Sequence, residues 1–399
     1  MADLPLLRLR KNEDRRLRSG HLWVFSNEVD ITTTPLKGFS PGDQVVIENA
    51  KGEPLGTAYV NPESLIAARI LGRDVRKPID RAFFIRRLER ALALREWAYG
   101  EPYYRLVYGE SDGLPGLVID RFGDVFVLQT NTAGMERLQD AIIEALEKMF
   151  SPRAVVIRNT SGLRALEGLE CYSRLAFGQL DDRVEIKENG ARFLIDPLEG
   201  QKTGWFFDHR DNRGALARWC SGKRVLDLFA YTGAWSLPAA LAGAASVECV
   251  DASAPALALA AENAQLNGVA DRMDFSCADV FDFLKQAREE RRHYDVIVLD
   301  PPAFIKRKKD VSKGLEAYRR LNQAALQVLA PGGLLVSASC SFHLSRDSLH
   351  DVLRASARHL DRHMVFLGRG GQAADHPVHP AIPETDYLKA FFCQVGPSL

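Results

Sequence analysis

From Val225 onward, short apolar runs alternate with helical stretches, and this rhythm restricts that part of the chain to an open, doubly wound α/β sheet. The runs are Val225 to Phe229, Val247 to Val250, Met273 to Ser276, Asp295 to Leu299, Leu334 to Ala338, Met364 to Leu367 and Ala390 to Gln394. Between them, Pro255 to Asn267 is rich in Ala and Leu and stops at Gly268, while Leu315 to Leu329 stops at Pro331-Gly332-Gly333; both are sensible helix ends. In such sheets, ligands bind outside the carboxyl ends of the strands. Asp300-Pro301-Pro302 and Ser339-Cys340-Ser341 each follow an apolar run, so a carboxylate and a thiol reach the same rim. Cys340 is therefore a candidate nucleophile, and the chain reads as an enzyme.

The 399 residues suffice for two or three domains, and 46% hydrophobic residues can supply their cores. Lys plus Arg equals Asp plus Glu at 52 each, so attraction to a polyanion must come from local clusters. Six cysteines are widely spaced with no CxxC pair; apart from Cys340 they are expected to be small buried hydrophobes, reduced in a cytoplasmic setting. No signal peptide or membrane span is expected, since charges interrupt Met1 to Arg18 and no apolar run approaches about eighteen residues.

Three segments are expected. Residues 1–76 read as a small β-rich module, with Pro41-Gly42-Asp43 and Lys51-Gly52-Glu53 as turns around the strands Gln44 to Glu48 and Pro54 to Val60. Arg8, Arg10, Lys11, Arg15, Arg16 and Arg18, followed by Trp23 and Phe25, suit phosphate contacts beside a stacking surface; a solvated arm with two core aromatics is the alternative. Residues 77–182 read as a central α+β domain: a helix within Ile79 to Trp97, strands at Tyr104 to Tyr108, Leu117 to Arg121 and Val125 to Thr130, a helix from Gly134 to Phe150 and a strand at Ala154 to Ile157. Residues 183–399 open with a hairpin around Asn189-Gly190, a dipeptide suited to a type I′ turn.

Asp227 to Gly233 is a strand running into a small-residue turn ahead of a helix, without the GxGxxG spacing of pyrophosphate-binding turns. Asp251 and Asp279 follow the next two strands and could accept from ribose hydroxyls and an adenine amino group; adenosine without phosphate fits this array. The alternative is that these carboxylates simply cap helices. His376 and His379 lack a matching Cys or acidic set, so no metal site is expected.

The series Asp227 to Gly233, Asp251, Asp279, Asp300-Pro301-Pro302 and Pro331-Gly332-Gly333 resembles the motifs of class I S-adenosylmethionine-dependent methyltransferases. Gln201 to Arg210 and Ser339-Cys340-Ser341 more narrowly resemble bacterial 23S ribosomal RNA large-subunit cytosine-5 methyltransferases of the RlmI type. Gly20 to Ser26 is similar to that family's N-terminal PUA RNA-binding domain, and Glu110 to Gly116 to its central domain. The resemblance implies a Rossmann-like methyltransferase domain preceded by the PUA-like and central domains. It also implies S-adenosyl-L-methionine as cofactor and large-subunit ribosomal RNA as partner; a homodimer is a guess that neither the residues nor the resemblance supplies.

On that reading Cys340 adds to cytosine C6, and Asp300 binds the base or removes the C5 proton, directly or through water; Ala303 stands where some relatives carry a second cysteine. Asp227, Phe229, Gly233, Asp251, Asp279, Arg210, Lys202 and Thr203 are the expected cofactor residues, with Arg213 a further candidate to order cofactor or RNA. Phe304 would stack on an extruded base or else pack under the sheet, and Lys306-Arg307-Lys308-Lys309 would clamp RNA phosphates or else be a solvated run. Two competing functions remain: an amino-group methyltransferase using Asp300-Pro301-Pro302 without a thiol, and a non-catalytic RNA-binding ribosome-assembly factor.

Overall fold

The computed structural model describes residues 4–201 and 203–398. The chain divides into two compact units. The first comprises the chain up to Val184 with Ile195–Phe207 and Ala374–Thr385; the second comprises Glu185–Leu194, Asp208–Ala373 and the chain from Asp386.

The first unit holds two five-stranded sheets. In one, Gln44–Glu48 pairs antiparallel with Pro54–Val60 through the expected turn, and Ile66–Gly72 and Trp23–Phe25 extend the sheet. Leu6–Arg8 lies parallel to Gln44–Glu48 at the other edge. Leu7, Val24, Val45, Ile47 and Ile70 form its core. The arginine-rich opening is largely tied to acids: Arg8 to Glu48 at 2.7 Å, Arg16 to Glu28 at 2.8 Å and Arg18 to Asp14 at 2.6 Å. Arg16 also lies 4.5 Å from the centre of the Phe25 ring, while the Trp23 indole donates to Glu110 at 3.0 Å.

In the second sheet, Tyr103–Tyr108, Leu117–Phe122 and Val125–Thr130 form an antiparallel meander, and Ala154–Asn159 returns parallel to the last of these. Helix Arg81–Ala98 begins where the Asp80 carboxylate accepts from the Phe83 amide. The expected Gly134 to Phe150 helix is two, Ala133–Arg137 and Gln139–Phe150, separated by Leu138. An edge strand, Tyr172–Gly178, was not legible as a strand; most of it is exposed, so it lacks an apolar stripe.

The second unit carries the Asn189-Gly190 hairpin, whose turn residues have φ of 52° and 78° as a type I′ turn requires. Its main sheet has seven strands: β1 (Arg224–Leu228), β2 (Ser246–Asp251), β3 (Met273–Cys277), β4 (Tyr294–Leu299), β5 (Leu329–Ser339), β6 (Arg362–Gly370) and β7 (Lys389–Pro397). Their order is β3-β2-β1-β4-β5-β7-β6, with β7 antiparallel to both neighbours and the remaining contacts parallel. Leu226, Leu228, Ile297, Leu299 and Leu335 are fully buried, which explains why these strands read as continuous apolar runs.

One local reading is corrected. Pro331-Gly332-Gly333 does not separate helix from strand, because helix Val311–Val328 gives way to β5 already at Leu329. Leu329 pairs with Tyr294 and Leu334 with Val296, so the intervening residues bulge from the ladder. Buried Leu329 anchors the strand before the bulge.

Candidate active site

β1 ends in a loop that re-aims the backbone toward the rim. Phe229, Tyr231 and Gly233 have φ of 65°, 49° and 84°. For the two aromatic residues this left-handed conformation costs on the order of 1–3 kcal/mol each, so surrounding bonds must hold it. They do: the Ala230 amide donates to Val250 at 3.0 Å and the Tyr231 amide to the Asp251 carboxylate at 2.9 Å. At Gly233 a Cβ would approach Leu237 Cδ1 to 2.7 Å.

Beneath the loop, Asp227 is fully buried and accepts from the Ser236 hydroxyl at 2.5 Å. Burial first, and then the charges of Asp300 and Asp251, push its pKa up to about 7 against the Ser236 bond. Asp227 Oδ1 and the Thr232 hydroxyl are buried without a hydrogen-bond partner among the described residues. Buried polar atoms are normally satisfied, so a water or a ligand belongs here. Asp251 closes β2 and accepts the Ser253 amide with its other oxygen, at 2.8 Å. Asp279 is exposed beyond β3 and caps helix Val280–Glu289, accepting from the Phe281 and Asp282 amides.

Asp300 closes β4, next to β1. The Trp235 indole donates to Oδ2 at 3.0 Å, and His209 Nε2 lies 3.2 Å from Oδ1. The amide nitrogen of Asn212 lies 3.0 Å from His209 Nδ1 and donates to the Gly371 carbonyl at 2.9 Å. A donor at Nδ1 assigns the histidine proton to Nε2, facing the carboxylate. Burial would raise the Asp300 pKa, but His209 and the Trp235 indole together hold it below the ordinary carboxylate value.

Cys340 is half-buried just beyond β5, the strand next to β4. Its neighbours are fixed. The Tyr318 hydroxyl lies 2.7 Å from Ser339 Oγ and 2.9 Å from Ser341 Oγ, and the Ile305 amide donates to Ser341 Oγ at 3.2 Å. Lys389, at the start of β7, donates to the Ser341 carbonyl at 2.7 Å. Helix Val311–Val328 approaches the Asp300 loop at Gly314, where a Cβ would come within 2.2 Å of Ile305. Phe304 is half-buried with its ring centre 4.8 Å from that of Tyr318. Lys306, Arg307, Lys308 and Lys309 are exposed, and Arg307 pairs with Asp310 at 3.0 Å.

The sheet thus brings Asp227, Phe229, Gly233, Asp251, Asp300 and Cys340 to the carboxyl ends of the contiguous strands β2, β1, β4 and β5. Arg210 and Arg213 lie on another helix, Arg210–Ala217, and both reach Glu188 of the hairpin, at 3.5 and 2.6 Å. Thr203 belongs to the first unit, where its buried hydroxyl donates to Asp120 at 2.5 Å. Lys202 lies outside the described residues. The reading of the remaining cysteines holds for Cys220, Cys249 and Cys393 and is corrected for Cys171 and Cys277, which are exposed. Cys277 closes β3 at the sheet edge, where no further strand covers it. His209, Trp235, Tyr318 and Lys389 were not singled out from sequence, because their significance lies in contacts with residues far along the chain. No helix among the described residues is long and apolar enough to cross a membrane.

Comparison with known proteins agrees with this architecture. Residues 170–389 match the S-adenosylmethionine-dependent methyltransferase family and residues 7–73 a PUA-like domain. The chain is 40% identical over 396 residues to ribosomal RNA large subunit methyltransferase I of Shewanella denitrificans, covering 98% of this chain and 99% of that one. It is 38% identical to the protein of the same name from Klebsiella pneumoniae, covering 98% of each. The solved structure of SMU.776 complexed with SAH superposes with a TM-score of 0.83 at 23% identity, covering 98% of this chain and 100% of that one. The chain accordingly belongs to the S-adenosylmethionine-dependent methyltransferases, in the ribosomal RNA large subunit methyltransferase I family.

Proposed function

We propose that this enzyme methylates C5 of a cytosine in large-subunit ribosomal RNA through a transient bond between Cys340 Sγ and C6 of the base. The observation that carries this reading is the half-buried thiol beyond β5, beside the strand that ends in Asp300. Curated relatives named for large-subunit ribosomal RNA, and the PUA-like match, support RNA as the substrate.

The residues around the β1 loop fit the cofactor. Asp227 Oδ1 and Thr232 Oγ1 lack protein partners among the described residues, and Asp251 has a second lone pair on each oxygen for ribose hydroxyls. Phe229 and Gly233 shape the wall and Asp279 lies farther along the rim. The bound cofactor supplies an electrophilic methyl group.

The chain's own residues do the rest. Addition of the Cys340 thiolate to C6 pushes an electron pair to C5, which takes the methyl group. Loss of the C5 proton to a base then lets the C6–S bond break, returning its electrons to sulfur. Asp300, ionised by its two donors, suits acceptance from the cytosine amino group better than proton removal, because a carboxylate of lowered pKa is a weak base. The exposed Lys306-Arg307-Lys308-Lys309 loop supplies phosphate contacts, and Phe304 borders the base.

Incubation with cofactor and a 5-fluorocytosine-containing fragment of large-subunit RNA tests the reading. Fluorine does not leave as a proton does, so a denaturation-resistant adduct should accumulate on wild type and be absent from Cys340→Ser. A Cys340→Ala enzyme that keeps most of its activity would instead identify an amino-group methyltransferase.

A further inference from the structure

Lys389 is 5% exposed and opens β7, directly opposite Ser339 in the antiparallel ladder with β5. Its ammonium donates to the carbonyl of Ser341, so it reaches past the end of β5 to the residue following Cys340. Among the described residues no carboxylate lies within ion-pair distance of it. A buried ammonium whose one hydrogen-bond partner is a carbonyl is costly to retain, and such groups cluster at functional sites.

The charged and titratable groups facing Lys389 are few. Asp386 precedes it on the same chain segment, Arg346 belongs to helix Arg346–His359, and Cys340 follows β5. Tyr318, from helix Val311–Val328, is near enough to feel the Cys340 charge. Burial lowers the Lys389 pKa to about 8, while Asp386 and a Cys340 thiolate favour the ammonium and Arg346 opposes it. An amine in that range is well matched to a thiol, whose ordinary pKa is about 8.5.

We propose that Lys389 and Cys340 form a proton-sharing pair in which the lysine amine takes the thiol proton and the resulting ammonium holds Cys340 as the thiolate. The step balances as thiol plus amine giving thiolate plus ammonium, with no further reactant. Lys389 is thus a positioning residue for the nucleophile, an inference that rests on the covalent role proposed for Cys340. The thiolate adds its charge to that of Asp386 in favouring the ammonium, and the Ser341 carbonyl fixes the direction from which the ammonium approaches.

The pH profile of Cys340 alkylation by iodoacetamide, followed by peptide mass spectrometry to separate it from exposed Cys171 and Cys277, tests the pair without requiring methyl transfer. In wild type the midpoint should lie at least about one pH unit below the ordinary thiol value. Lys389→Met should move it upward by at least about one unit, slowing alkylation at pH 7 about tenfold. Lys389→Arg, which keeps the charge, should retain the low midpoint. A wild-type midpoint at or above about 8.5 overturns the pair even if Lys389→Met fails to fold, and so does an unchanged midpoint in Lys389→Met. Absence of the fluorocytosine adduct from wild type would sink the covalent mechanism instead, while leaving the alkylation profile to report on the two residues themselves.

Discussion

His209 Nε2 stands 3.2 Å from Asp300 Oδ1, while the Trp235 indole donates to the other oxygen, Oδ2, at 3.0 Å. The two ring donors come from segments far from β4 in sequence. They hold the Asp300 pKa below the ordinary carboxylate value and restrict the plane of its carboxylate.

Removing one donor should therefore show in the pH dependence. Because His209 lowers the Asp300 pKa, His209→Ala raises it, and the acid limb of the methylation rate moves to higher pH. The rate at pH 7 is expected to fall about 10- to 100-fold. Single-turnover methylation of an RNA fragment between pH 5 and 9 measures both effects.

Asp227 carries a separable signature in stability. Its folded pKa of about 7 exceeds the ordinary 3.8, so the folded state binds the extra proton between those values and its stability falls as pH rises through them. Asp227→Asn should be more stable than wild type at pH 8, by about 2–4 kcal/mol, with the difference vanishing below pH 4. The same variant should bind S-adenosylmethionine at least about tenfold more weakly. Denaturant melts at several pH values and calorimetric titration separate the two.

The β1 loop should tolerate little change at Gly233, where a positive φ coincides with the close Leu237 methyl. Gly233→Ala is expected to destabilise the protein by about 1–2 kcal/mol and to weaken cofactor binding. Urea unfolding with and without S-adenosylmethionine would detect both.

Replacing Lys306, Lys308 and Lys309 together by Ala should weaken RNA binding without altering cofactor affinity. Their loss should flatten the plot of log affinity against log salt by about 2–3, near 0.7–0.9 per phosphate contact. Filter binding at a series of potassium chloride concentrations gives this slope. An unchanged slope would mean that the exposed lysines merely keep the loop in water.

Much of the sheet was legible because a strand buried on both faces is nearly continuous in apolar residues, as Val296 to Leu299 is and as Leu334 to Ala338 is but for the small, buried Ser337. The rim residues Asp300 and Cys340 were legible for the related reason that they follow such runs, and Asp227 because it is the one charge inside the run Val225 to Phe229. Strand Tyr172–Gly178 was not, since its burial is set by its neighbour Ala154–Asn159 and leaves no pattern of its own. The Arg210 and Arg213 contacts with Glu188 were equally hidden, because a guanidinium in sequence says nothing about which carboxylate the fold will deliver. Lys389 stayed inconspicuous for the same reason: only the antiparallel ladder carries it to Ser339.

That ladder also imposes a timetable. β7 is inserted between β5 and β6, although it is translated after both. Until the chain has been made through Pro397, β5 keeps an open flank on the side that β7 will cover. The strand that leads to Cys340 therefore gains its second neighbour only from a segment made about fifty residues later.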